Sequence, residues 1–275
     1  MGTFKHTLID AIVHLPTIPP HSWTGRYPHV GRIGNWKARA FGKKLLSRTG
    51  HKVFGGPFSC MRLVPGSQLA ENFPAIVGSY EKDIHDVIQK VISKCPKRMI
   101  DIGSAYGLYT VGMGMHMPRT EIIAFEGEPQ GHWEEAAALA KLNGVTNITQ
   151  VGFCRPADLK RYCTPESFIL CDCEGGEKDL MDPVAIPELK SCFILCELHD
   201  FYAPGVTALL VERFQETHHI EIRSESARNP DDYRILRGLH ESLRKVAVLE
   251  TRFVADDLVF GRNMILTPKS SQFWN

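Results

Sequence analysis

Between residues 98 and 197 short apolar runs alternate with helical periodicity, and that alternation leaves few folds open to the chain. The runs cover 98–102, 121–126, 148–153, 168–172 and 192–197. Helical spacing fills 108–116 and 129–143 between the first three, with Trp133, Ala136, Ala137 and Ala140 expected on one face and Gly144 as the stop. A helix is predicted over 206–214, a strand at 220–223, a partly helical stretch over 230–255 and a last strand at 263–267. Ahead of the first strand, Ile84, Val87, Ile88, Val91 and Ile92 mark the apolar stripe of a helix over 80–94, capped by Ser79. Strands buried on two sides show no polar face, so runs of this kind pack as a parallel sheet with helices on both faces. The expected class is therefore α/β, with a doubly wound, mostly parallel, seven-stranded sheet.

In such a sheet ligands bind beyond the carboxyl ends of the strands. Four of those ends carry carboxylates or histidine. The first holds Asp101 and the turn Gly103-Ser104-Ala105-Tyr106-Gly107, and the second holds Glu126-Gly127-Glu128. The fourth holds Asp172-Cys173-Glu174-Gly175-Gly176-Glu177, and the fifth Glu197-Leu198-His199-Asp200. Gly103 and Gly107 stand four apart, which is not the G-x-G-x-x-G spacing that seats a pyrophosphate on a helix N-terminus. The turn suits a nucleoside without phosphates, with Asp101 as an acceptor. S-adenosylmethionine, which carries an ammonium, a sulfonium and a ribose diol, has that character. Glu126, at the tip of the next strand, can accept both ribose hydroxyls, and an acid there disfavours a ribose phosphate. The adenine would lie against Gly152-Phe153-Cys154. The predicted cofactor residues are Asp101, Gly103, Ser104, Tyr106, Gly107, Glu126, Gly127, Phe153 and Asp172. Glu128 and Glu177 fit equally well as caps of the helices that follow them.

Charge is unevenly spread. Residues 1–70 hold ten Lys/Arg against the single acid Asp10, a balance of +9, and the rest holds 22 against 30, a balance of −8. The first 48 residues, rich in Pro, Gly and His, read as a basic arm that includes Arg26, Arg32, Lys37, Arg39, Lys43, Lys44 and Arg48. A short basic helix is expected over 35–47, and one or two strands over 51–65 around a Gly55-Gly56-Pro57 turn. The arm could meet an anionic substrate or dock on the acidic remainder of the chain. No apolar run approaches the roughly 18 residues that span a bilayer, and the N-terminus makes a poor signal peptide. The eight cysteines contain no C-x-x-C pair, and several lie in predicted core strands. That usage suits reduced thiols and a cytoplasmic protein. Zinc at Cys171/Cys173 or Cys192/Cys196 would need two further ligands, and small core residues are the simpler reading. His218-His219 reads as surface or hinge.

The order of these motifs resembles class I S-adenosylmethionine-dependent methyltransferases. The residues that carry the likeness are Ile100 to Thr110, then Ala124-Phe125-Glu126-Gly127-Glu128-Pro129, then Asn143 to Ile148. More narrowly the chain resembles the FkbM type, through Asp172-Cys173-Glu174-Gly175-Gly176-Glu177, Glu197-Leu198-His199 and Gly78-Ser79-Tyr80-Glu81. The likeness covers about residues 50–215, with Gly127 where such families often carry proline. It implies a Rossmann-like methyltransferase domain over 49–275 behind an N-terminal extension over 1–48.

The resemblance also implies methyl transfer to an oxygen, often on a sugar or natural-product hydroxyl. The sulfonium is already electrophilic, so positioning for in-line displacement supplies much of the rate. The hydroxyl must lose its proton during attack, and His199 is the first choice of base, with Asp172 and Glu174 second. No metal is expected. A divalent ion, if bound, would take Asp172, Glu174, Glu197 and His199, with Asp200 in reach, and would lower the hydroxyl's pKa instead. His199 as an ordinary core histidine is the competing view. The alternatives from other classes are a nucleic-acid methyltransferase using the basic arm, an NAD-linked oxidoreductase, and a binding module without catalysis. No Asp/Asn-Pro-Pro-aromatic motif follows the fourth strand, so a small-molecule acceptor is favoured and nucleic acid is not.

Overall fold

A computed structural model describes residues 40–275, save 128, 251, 255, 256 and 260. Most of the predicted arm, including Arg26, Arg32, Lys37 and Arg39, lies outside the described residues, as does Glu128. Two compact units divide the chain: residues 1–82 with 226–260, and residues 83–225 with 261–275.

The second unit is built on strands β1 (Arg98–Ile102), β2 (Glu121–Phe125), β3 (Ile148–Val151), β4 (Phe168–Cys171), β5 (Phe193–Glu197) and β6 (His218–Ser224). In the first unit β7 (Arg252–Val254) and β8 (Asp257–Val259) form a separate antiparallel pair. β9 (Arg262–Pro268), in the second unit, belongs to the main sheet. The sheet has seven strands in the order β3-β2-β1-β4-β5-β9-β6. Neighbours among β1 to β5 pair in parallel, and β9 runs antiparallel between β5 and β6. This is the expected doubly wound, Rossmann-like sheet. β1, β4 and β5 are buried along nearly their whole length, which is why they read as apolar runs rather than alternating ones.

Alternate residues fill the two faces. Ile100, Ile102, Ile123, Phe125, Ile169, Cys171, Ile194 and Cys196 join one core with Leu159, Leu180, Leu210 and Phe214 from the helices Pro156–Tyr162, Glu177–Leu180 and Val206–Phe214. On the other face Phe193 stacks on Trp274, with ring centroids 4.8 Å apart, and Lys90 of the helix His85–Lys94 lies over the same ring. All eight cysteines are free thiols.

Several boundaries differ from expectation. The helix predicted over 80–94 is a 3-10 turn, Lys82–Ile84, followed by the helix His85–Lys94. Glu81 takes a positive φ of 48°, and the Ser79 hydroxyl donates to Pro74 O instead of capping. β2, β3 and β4 stop before Glu126, Phe153 and Asp172, which places all three just beyond the strand ends. On the helix Pro129–Asn143, Ala136 and Leu139 are buried and Ala137 is exposed. His218 is neither surface nor hinge. It is buried on β6 within bonding distance of Cys192 O, at 3.0 Å from Nε2.

In the first unit a helix covers 40–49, so the predicted basic helix runs later than 35–47 in its described part. The predicted strands over 51–65 reduce to one antiparallel bridge, Lys52 to Arg62. The partly helical stretch contains the helix Glu241–Ala247 and two 3-10 turns, Pro230–Asp232 and Arg234–Leu236. A buried ion pair, Arg228 to Glu250 at 3.4 Å, braces this unit, and Glu250 also accepts the Glu81 N–H at 2.9 Å. Among the described residues no helix is long and apolar enough to cross a membrane.

Candidate functional site

The polar strand ends gather on one edge of the second unit, because β2, β1, β4 and β5 are consecutive in the sheet. The β1 turn is bonded first. The N–H groups of Gly103 and Ser104 both donate to Phe125 O, at 2.9 and 3.0 Å. Gly103 has φ 89°, and a Cβ there would lie 1.7 Å from Asp172 O. Only glycine lets the β4 extension pass this close. Gly107, at φ 86°, precedes the helix Leu108–His116 and packs on Ala136.

Asp101 sits beneath that turn. It is 2 % exposed and accepts a short hydrogen bond from the Thr110 hydroxyl. Burial pushes its carboxyl up to about 7, against the Thr110 bond, and the charges of Asp172 and Glu126 add to the rise. Glu126 is buried beside it. Its Oε2 accepts the Ala105 N–H at 2.7 Å, and its Oε1 stands 3.5 Å from His132 Nδ1. The Tyr106 ring meets His132 edge-on at 4.4 Å. Phe153, beyond β3, is 66 % exposed, and the Gly127 backbone lies against its ring.

A second group surrounds His199. Its ring is fully buried, with Nδ1 2.6 Å from Glu177 Oε1. Its Nε2 stands 3.5 Å from Asp172 Oδ1, 3.6 Å from Glu174 Oε2 and 3.8 Å from Glu197 Oε2. Burial disfavours the charged ring, but the Glu177 bond and the charges of Asp172, Glu177 and Glu174 outweigh it and raise the pKa. Burial likewise opposes ionisation of Glu177, and the His199 bond and charge hold its carboxyl below the usual range. Asp172, Glu174 and His199 offer one ligand atom each, all within 4.8 Å of one another. Asp200 is engaged elsewhere. It accepts from Arg262 at 2.6 Å and from the Thr207 hydroxyl and N–H. Tyr202, 56 % exposed, lies beside His199, with ring centroids 6.0 Å apart.

The sequence-predicted residues thus fall into two adjoining sets on neighbouring strand ends. Asp101, Gly103, Ser104, Tyr106, Gly107, Glu126, Gly127 and Phe153 line the β1–β3 side, and Asp172, Glu174, Glu197 and His199 converge at β4 and β5. His132 and Thr110 were not anticipated. Their positions on the two helices after β1 and β2 carry no sequence signal beyond helical spacing. Glu177, weighed as a cap, is the partner of His199.

No family model and no curated protein matches the sequence. Solved structures align with it at low identity and low TM-score. A human methyltransferase 10 domain containing protein aligns at 16 % identity and TM-score 0.44, covering 84 % of this chain and 96 % of that one. The Bacillus cereus O-methyltransferase in complex with SAH aligns at 10 % and 0.42, over 90 % and 100 %. The Geobacter metallireducens precorrin-6y C5,15-methyltransferase aligns at 14 % and 0.43, over 68 % and 89 %. Likenesses of this size leave the fold to the strand order and the chemistry to the site.

Proposed function

We propose that this chain is an S-adenosylmethionine-dependent methyltransferase of the FkbM type, moving a methyl group to a hydroxyl of a small-molecule acceptor. Residues 49–275 form its methyltransferase domain and residues 1–48 a basic arm. One observation carries the reading: the glycine turn with Asp101 and Glu126 and a cluster of proton acceptors adjoin on consecutive strand ends. The residues present fit the cofactor. Phe153 offers an open ring face for adenine. Glu126, buried at the tip of β2 beside the β1 turn whose Ala105 N–H it accepts, is the acid placed to receive the ribose hydroxyls. Asp172 Oδ1 is buried with no hydrogen-bond partner among the described residues.

Bound there, the sulfonium supplies a methyl group that needs no further activation. The protein has two tasks. The first is alignment of the acceptor oxygen in line with the methyl, which the strand-end loops of β4 and β5 provide. The second is removal of the hydroxyl proton, by the accessible carboxylates of Asp172 and Glu174, with the buried His199 Nε2 behind them to take the proton on. Tyr202 gives the acceptor an aromatic surface beside that cluster.

S-adenosylhomocysteine is expected to raise the melting temperature of the purified chain, and NAD is not. Stabilisation by NAD alone would overturn the reading. Transfer of labelled methyl to RNA or DNA, and to no hydroxylated small molecule, would overturn the acceptor class.

A further inference from the structure

We infer that Asp172, Glu174 and His199 bind a divalent cation. The His199 ring is 1 % exposed, and its Nδ1 is committed to Glu177. That contact turns Nε2 toward Asp172 Oδ1 and Glu174 Oε2. Neither Nε2 nor Asp172 Oδ1 has a hydrogen-bond partner among the described residues.

Distance separates two explanations. A charge-assisted N–H···O bond closes to about 2.7–2.9 Å. The separations here are 3.5 and 3.6 Å, too wide for a shared proton. Two donors each about 2.1 Å from one ion stand about 3.0 Å apart at a right angle and about 3.4 Å at a tetrahedral one. The observed spacing sits beside that range. Glu177 then plays the outer role common in metal sites, fixing the tautomer and orientation of the ligating imidazole. Glu197 Oε2, 3.8 Å from Nε2, adds negative charge at the same point. Two carboxylates and one imidazole suit a first-row ion of the Mn2+ type better than Ca2+, which takes oxygen ligands only.

Binding of the ion stands by itself, whereas its use in catalysis rests on the methyltransferase reading. Glu174 is 67 % exposed, so the outer side of the ion faces solvent and an incoming hydroxyl. A hydroxyl bound there loses its proton more readily. Nε2 is then a ligand, so the proton passes to a Asp172 or Glu174 oxygen that does not hold the ion.

The test is a titration of the full chain with Mn2+, followed by the electron paramagnetic resonance signal of the free ion. Saturation at one Mn2+ per chain is expected, with Zn2+ competing. Glu174→Gln, at an exposed position, should weaken binding at least about tenfold, and Glu177→Gln by about 10–100-fold, with circular dichroism unchanged. Absence of saturable binding overturns the site, as does equal affinity in Glu174→Gln and Asp172→Asn. The S-adenosylhomocysteine shift is read on the same sample. A retained shift without Mn2+ binding overturns the cation site alone. Mn2+ binding without the shift supports the site and overturns the methyltransferase reading.

Discussion

Asp101 shows how one residue can carry a cost that the sheet around it imposes. It lies on a strand buried on both faces, so its carboxylate meets little water, and Thr110 supplies one compensating donor. Its pKa of about 7 means that the folded state holds the proton more tightly than the unfolded one. Its contribution to stability is therefore full below about pH 4 and is lost as pH rises through about 7, by an amount on the order of a few kcal/mol. Urea unfolding at a series of pH values should show that decline. Asp101→Asn, which keeps an acceptor for Thr110, should flatten it, and an unchanged slope in the variant would assign the decline to another group. Asp101 and Glu126 were legible in the sequence because an acid at a strand end breaks an apolar run. His132 was not, because a histidine one turn into an amphipathic helix looks like any other.

At the scale of elements, the β1 turn is dictated by the sheet as much as by any ligand. The Asp172 N–H donates to Ile102 O at 2.9 Å, which draws the β4 extension across Gly103. Gly103→Ala would combine a left-handed backbone with a Cβ inside Asp172 O. The backbone strain alone is worth on the order of 1–3 kcal/mol. We expect a lower urea midpoint together with loss of the S-adenosylhomocysteine shift, since the turn and Asp172 move together. A variant with wild-type stability would show that the β4 extension can move aside. Helix ends were the weakest part of the sequence reading. The stripe from Ile84 to Ile92 was correct in kind, yet Glu81 and Ile84 leave α-geometry, and the stripe alone could not place that break.

Across the whole molecule, the chain leaves the sheet after β6 and returns to it as β9. The two ends of that excursion are pinned where the Glu225 N–H donates to Gly261 O at 2.8 Å. β9 then supplies ladder partners to both β5 and β6, and Trp274 follows it onto Phe193. Deleting residues 261–275 should abolish a cooperative unfolding transition in calorimetry, since two ladders lose their shared strand. Trp274→Ala should keep the transition and cost about 3–5 kcal/mol, the usual range for removing a buried aromatic ring. The sequence by itself determined the α/β class, the parallel strands and the acids at their ends, because burial on two faces writes itself into local apolar runs. Only the tertiary structure decided that β9 inserts between β5 and β6, that Arg262 and Thr207 occupy Asp200, and that Glu177 turns His199 Nε2 onto Asp172 and Glu174. Those facts rest on pairings between residues distant in the chain, which no local periodicity encodes.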